Sequence, residues 1–162
     1  MKRPGSTRLL VAAVVLAAVA LVAGCSWGES SEPATTDEVE QSVVTARNRV
    51  DFSFERITKA EDIDDFLDRM NEASDNVGDA ADELGKLNAP DPYAEEVDKL
   101  VAALEQLSVD LEATASDLER PELLGDLVTG AQGINFESWD EANRALAALI
   151  SLGIEVDLLQ RY

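Results

Sequence analysis

From residue 63 onward, Ile63, Phe66, Met70, Ala73, Val77, Ala80, Leu84 and Leu87 recur at alternating steps of three and four. That period puts them on one face of an α-helix, whereas a half-buried strand would need a step of two. Asn88-Ala89-Pro90-Asp91-Pro92 interrupts the pattern, with Asp91 predicted as N-cap and Pro92 as the first helical residue. Val97, Leu100, Leu104, Leu107, Leu111, Thr114 and Leu118 then resume the stepping. Arg120-Pro121 should stop it, because the residue before a proline avoids helical geometry. Two helices of about 27 residues, each roughly 40 Å long at 1.5 Å per residue, thus flank a five-residue turn. Equal lengths around a short turn predict an antiparallel hairpin. The same heptads would suit a coiled coil with a partner, but an intramolecular core is the favoured reading.

The flanking segments are read against this hairpin. Thr35-Thr36-Asp37-Glu38 has capping-box spacing, and Val39, Val43, Ala46, Val50, Phe54 and Ile57 predict a helix over 36–57. Over residues 50–57, Val50, Phe52 and Phe54 also alternate with Asp51, Ser53 and Glu55, so a strand competes there. Thr58-Lys59-Ala60-Glu61 repeats the box and predicts the restart before the hairpin. Residues 121–133, broken by Gly125, Gly130 and Gly133, hold a short helix at most. Ser138-Trp139-Asp140-Glu141 is a third box, opening a helix with Trp139, Ala142, Leu146, Leu149 and Ile150 on its apolar face. Trp139 is the expected core anchor, docking this helix on the hairpin. Gly153 should end the helix, and Ile154 to Leu158 alternate as a short extended tail. The expected fold class is all-α, an up-and-down bundle of about four helices around a central antiparallel hairpin.

Chemistry is narrowed by what the chain lacks. It has no histidine and one cysteine, which removes Ser-His-Asp and Cys-His catalysis and cysteine- or histidine-rich zinc sites. No phosphate-binding loop, dinucleotide glycine pattern or EF-hand spacing is present. No cofactor is expected. Thirty-three acids would permit a carboxylate pair in a hydrolase, but nothing selects one, and an enzyme is the minority reading. Asp62, Asp64, Asp65 and Asp68 gather carboxylates at a helix start and raise cation binding as an alternative. A continuous helix splays such side chains, so a solvated acidic face near a helix N-terminus is preferred, with no metal site assigned. Asp65–Arg69, Asp82–Lys86 and Glu95–Lys99 are each spaced for an i,i+4 ion pair.

The first residues differ in kind. Lys2, Arg3 and Arg8 precede sixteen residues, Leu9 to Gly24, without a polar side chain. A basic start and a short apolar run read as an export signal, and about 20 residues are needed to span a bilayer. Leu21-Val22-Ala23-Gly24-Cys25 follows at the end of that run. These residues resemble the lipobox of bacterial lipoproteins, in which an aliphatic and two small residues precede the modified cysteine. The resemblance implies cleavage between Gly24 and Cys25 and lipidation of Cys25 by a diacylglyceryl group, with further acylation of the new N-terminus left open. An ordinary signal peptide or an uncleaved anchor is the competing reading. Cys25 being the only cysteine favours lipidation, since an exported free thiol is a liability.

Three regions are therefore expected: residues 1–24 as signal peptide, 25–35 as flexible tether, and 36–162 as the helical domain. Trp27 in the tether is either an interfacial anchor or incidental. Removal of residues 1–24 leaves ten basic and thirty-three acidic residues, a formal charge of −23. That charge argues against nucleic acid and against lying flat on anionic lipid. The Ala-, Asp- and Leu-rich remainder, including "FESWDEANRALAALISLGIEVDLL", resembles small helical lipoproteins of high-GC Gram-positive bacteria. The resemblance implies location at the extracytoplasmic face of the cell membrane and no particular activity. The first functional expectation is a non-catalytic binding or adaptor module, with an envelope protein as its partner. A cation- or small-ligand-binding lipoprotein is the second.

Overall fold

The computed structural model describes residues 32–118 and 136–160. They form four helices: α1 (Thr36–Ile57), α2 (Ile63–Gly85), α3 (Ala94–Leu118) and α4 (Glu137–Ser151). No strand occurs among the described residues, and the fold is all-α. The competing strand over 50–57 is excluded, because α1 runs unbroken to Ile57. Consecutive helices pack side by side, α1 on α2, α2 on α3 and α3 on α4, so the hairpin of α2 and α3 is the centre. The helices contain 23 and 25 residues, a turn or less short of the expected length. The predicted stop at Arg120-Pro121 and the segment 121–133 lie outside the described residues.

The core follows the three-four stepping. Met70, Ala73, Val77, Ala80 and Leu84 of α2 are buried with Val97, Leu100, Leu104, Leu107 and Leu111 of α3. Two expected positions shift on α3, where Ala103 and Ala115 are buried while Thr114 and Leu118 are only partly so. Ile63 is 44% exposed because it opens α2, before the helix reaches its neighbours. Small residues let the hairpin helices approach closely. A Cβ on Gly78 would stand 3.2 Å from Ser108 Oγ. Beside it Ser74 Oγ donates to Ser108 O and Ser108 Oγ donates to Ser74 O, both at 2.9 Å. Each hydroxyl is thereby satisfied by the main chain of the facing helix.

The helix starts show which capping signals operate. At α1 the box is complete: Glu38 N–H donates to Thr35 Oγ1, and Thr35 N–H donates to the Glu38 carboxylate at 2.7 Å. Thr35 N–H, and with it the Thr35 hydroxyl at 2.9 Å, donate to the Glu38 carboxylate and hold its carboxyl below the usual range. The second box does not form. Thr58 has helical backbone angles as the C-cap of α1, and its hydroxyl donates to Glu55 O at 2.8 Å. An N-cap requires extended backbone, which occurs at Asp62, whose carboxylate accepts Asp65 N–H at 2.8 Å. Asp91 is not the cap of α3 either. Tyr93 and Ala94 N–H both donate to Pro90 O, so Asp91 and Pro92 lie within a turn, joined by a cis peptide bond. The α-ladder starts with Val97 N–H on Tyr93 O. Ser138 is not the cap of α4: the helix starts at Glu137, and the buried Ser138 hydroxyl donates to Asp110 of α3.

Helix α4 ends as predicted at Gly153, with φ +100°. Gly153 N–H donates to Ile150 O at 3.0 Å and Ile154 N–H to Leu149 O at 3.1 Å. This is the Schellman arrangement, and it folds the chain back along α4. Ala145 takes the inward place expected of Ile150, which is 40% exposed about 100° round the helix from Leu149. Ala34, inside the segment expected as tether, meets the bundle. Ala34 N–H donates to Asn88 O at 2.8 Å, and its side chain packs on the core.

Candidate functional site

Of the residues singled out above, Gly24 and Cys25 lie outside the described residues, as does Trp27. Trp139 is in the core, 4% exposed. Its ring meets Phe54 of α1 edge to face, with centroids 4.6 Å apart and planes at 67°. Trp139 thus ties α4 to α1. Its indole N–H and the Ser53 hydroxyl are buried without a hydrogen-bond partner.

The acidic cluster at the start of α2 is engaged in local structure. Asp62 caps the helix, and the Asp65 carboxylate accepts Glu61 N–H at 2.8 Å and Arg69 Nε–H at 2.7 Å. The bond from Arg69, then that from Glu61, lowers the Asp65 pKa. Arg69 also donates to Arg56 O at 2.7 Å, and Arg56 pairs with Glu72, so the guanidinium groups bind α1 to α2. Asp64 and Asp68 stay exposed. No three acids among the described residues converge as cation ligands would. Of the other expected pairs, Glu95–Lys99 forms at 2.9 Å. Asp82–Lys86 does not, because Lys86 is the C-cap, past the last turn of α2.

A cleft of about 240 Å³ lies between α1 and α2, walled by Gln41, Ser42, Thr45 and Glu83 over Ala46, Ala80 and Leu84. Two of its polar side chains already have partners within the fold. The Thr45 hydroxyl donates to Gln41 O at 2.7 Å, and Glu83 pairs with Arg49 at 3.0 Å. The volume is also below the roughly 300 Å³ at which small-molecule sites begin.

The most elaborate polar construction is elsewhere, in the seam between α1 and α4. Here the extended tail, residues 154–160, lies alongside both helices. Glu155 N–H donates to Glu40 at 3.0 Å, Leu159 N–H to Asn143 at 2.8 Å, and Gln160 N–H to Asp51 at 3.1 Å. Arg47 donates to Leu158 O at 3.0 Å and pairs with Asp51 at 2.8 Å. Ile154 and Leu159 are buried, whereas Leu158, in phase with Ile154 by alternation, is 44% exposed. The tail therefore turns between Val156 and Leu159 and does not alternate throughout.

Asp51 is the focus of the seam. It is 6% exposed, and burial raises its pKa, partly offset by the Gln160 amide and by Arg47, while Asp157 opposes its charge. The spacing fits its task. Glu40 to Asp51 is eleven helical residues, about 16 Å, and Glu155 to Gln160 is five residues, which span up to about 16 Å when extended. One row of side chains on α1, Glu40, Arg47 and Asp51, thus meets main-chain groups of Glu155, Leu158 and Gln160 in order along the tail. The only local sign of this was an Arg and an Asp four apart beside the apolar stripe at Val50.

Among the described residues no helix is long and apolar enough to cross a membrane. Compared with protein families, curated proteins and solved structures, the chain matches no family model, no curated sequence and no known structure.

Proposed function

We propose that this chain is an extracytoplasmic lipoprotein, held on the cell membrane by lipid on Cys25, whose helical domain acts as a non-catalytic binding or adaptor module. The observation that carries this is Leu21-Val22-Ala23-Gly24-Cys25 at the close of a sixteen-residue apolar run with a basic start. Two or three acyl chains, at about 0.8 kcal/mol per buried methylene, anchor a protein stably where one does not. Eight residues lie between Cys25 and Ala34, the first described residue hydrogen-bonded to the bundle, and the nine chain steps reach at most about 32 Å. The acidic surface favours a domain standing off anionic lipid rather than lying on it. A binding role is supported by a chain without histidine whose single thiol is assigned to lipid, and whose clustered acids serve as caps and ion pairs. The expected partner is a protein of the envelope, taken from the chain's location.

Replacing Cys25→Ser in the full chain tests the anchor. The variant is expected to leave the membrane fraction or to accumulate with residues 1–24 attached. A variant that is still cleaved and still sediments with membranes would overturn the reading.

A further inference from the structure

We propose that residues 154–160 form an exchangeable arm, and that two copies of the chain pair by seating each other's arm in the α1–α4 seam. The seam holds the arm through main-chain groups, with Glu40, Asn143 and Asp51 accepting three of its amides and Arg47 donating to one carbonyl. Ile154 and Leu159 fill the apolar places. Every one of these contacts is met equally by the same segment of a second copy, which is the condition for exchange at little cost in contacts.

The hinge is suited to opening. Gly153 is the one described residue with positive φ, and a Cβ there would meet nothing within 4 Å. Glycine adopts an extended backbone as readily as this turn, so the arm can swing straight out from the end of α4. The hinge is also flanked by unused apolar surface, since Ile150 and Leu152 are 40% and 39% exposed. In a two-fold exchange the hinges of both copies face each other, bringing these side chains together where water now covers them. That contact is new to the pair and favours it over the closed monomer. Each copy carries a formal charge of −20, or −23 once residues 1–24 are removed, so salt should strengthen the pairing by screening repulsion. The exchange goes beyond the proposed anchoring and does not depend on lipid at Cys25.

Sedimentation equilibrium of the full chain in density-matched detergent, over rising concentration, tests the proposal. The native chain should pass from monomer to dimer, and more readily at high salt. Gly153→Val strains the closed turn, because a β-branched residue resists φ near +100°, and should tighten the dimer at least ten-fold. In an equal mixture of ¹³C-labelled and unlabelled native chain, Leu159 methyl groups should contact α4 of the other copy. A native chain that stays monomeric throughout overturns the proposal. So does a dimer whose Leu159 touches only its own α4, or a folded Gly153→Val chain that pairs no more tightly.

Discussion

Between α2 and α3, one helix supplies Met70, Val77 and Leu84, the other Leu100, Leu104, Leu107 and Leu111, and Gly78 gives the room for close approach. Between α1 and α4, the space is taken by residues 154–160, gripped at their amides and carbonyls by Glu40, Arg47, Asp51 and Asn143. The first contact is specified by side-chain volume. The second is specified by hydrogen-bond geometry and by one buried charge pair. A bundle can therefore be closed on its weaker side by main-chain recognition, and that side becomes sensitive to changes the hairpin would tolerate.

The largest effect is expected in the hairpin. Leu107 is fully buried, and Leu107→Ala should lower unfolding free energy by about 3 kcal/mol through lost transfer energy and the cavity left behind. Asp51→Ala should cost less, about 2 kcal/mol, since it removes the partner of Arg47 and the acceptor of Gln160 N–H. Amide exchange separates the two. Leu107→Ala should speed exchange throughout, whereas Asp51→Ala should act first on Leu159 and Gln160. Equal, uniform acceleration by both would erase the distinction between hairpin and seam.

The smallest effect sharpens the comparison through two pairs of identical composition and spacing, Arg47–Asp51 and Asp65–Arg69. Burial raises the Asp51 pKa above the ordinary 3.8, whereas the Arg69 hydrogen bond lowers that of the less buried Asp65. The signs of their linkage are opposite. For Asp51 the folded chain binds the proton more tightly, so its contribution to stability is present below 3.8 and lost as pH rises through its folded pKa. For Asp65 the contribution is present above 3.8 and lost as pH falls through its folded pKa. Asp65→Asn should thus cost less than either core change, fade with added salt, and flatten the profile below 3.8. Asp51→Asn should flatten it above that value. Carboxyl ¹³C titrations showing both aspartates displaced in the same direction would contradict this assignment.

The hairpin was legible because its information is local and repeated. Seven positions in α2 and seven in α3 keep step with the helix, and burial follows them with small shifts such as Ala115 for Thr114. Capping was legible only in part. Thr35, Thr58 and Ser138 share the spacing to a glutamate, but Thr58 already belongs to the last turn of α1 and Ser138 to the first turn of α4. Spacing alone does not carry the backbone angles that make a cap. The seam was not legible beyond the Arg47–Asp51 spacing, because Gln160 reaches Asp51 across 109 residues and the contact is to main chain. Main-chain groups leave no trace in the identity of the residue that carries them.

The proposed anchor is the reverse case, read entirely from a local motif. Its claim is also the most exposed to a single observation. The intact mass of the native chain, extracted from membranes, should correspond to a protein beginning at Cys25 and carrying a diacylglyceryl group, with or without a further acyl chain. A mass that retains residues 1–24, or that shows Cys25 unmodified, would contradict the account.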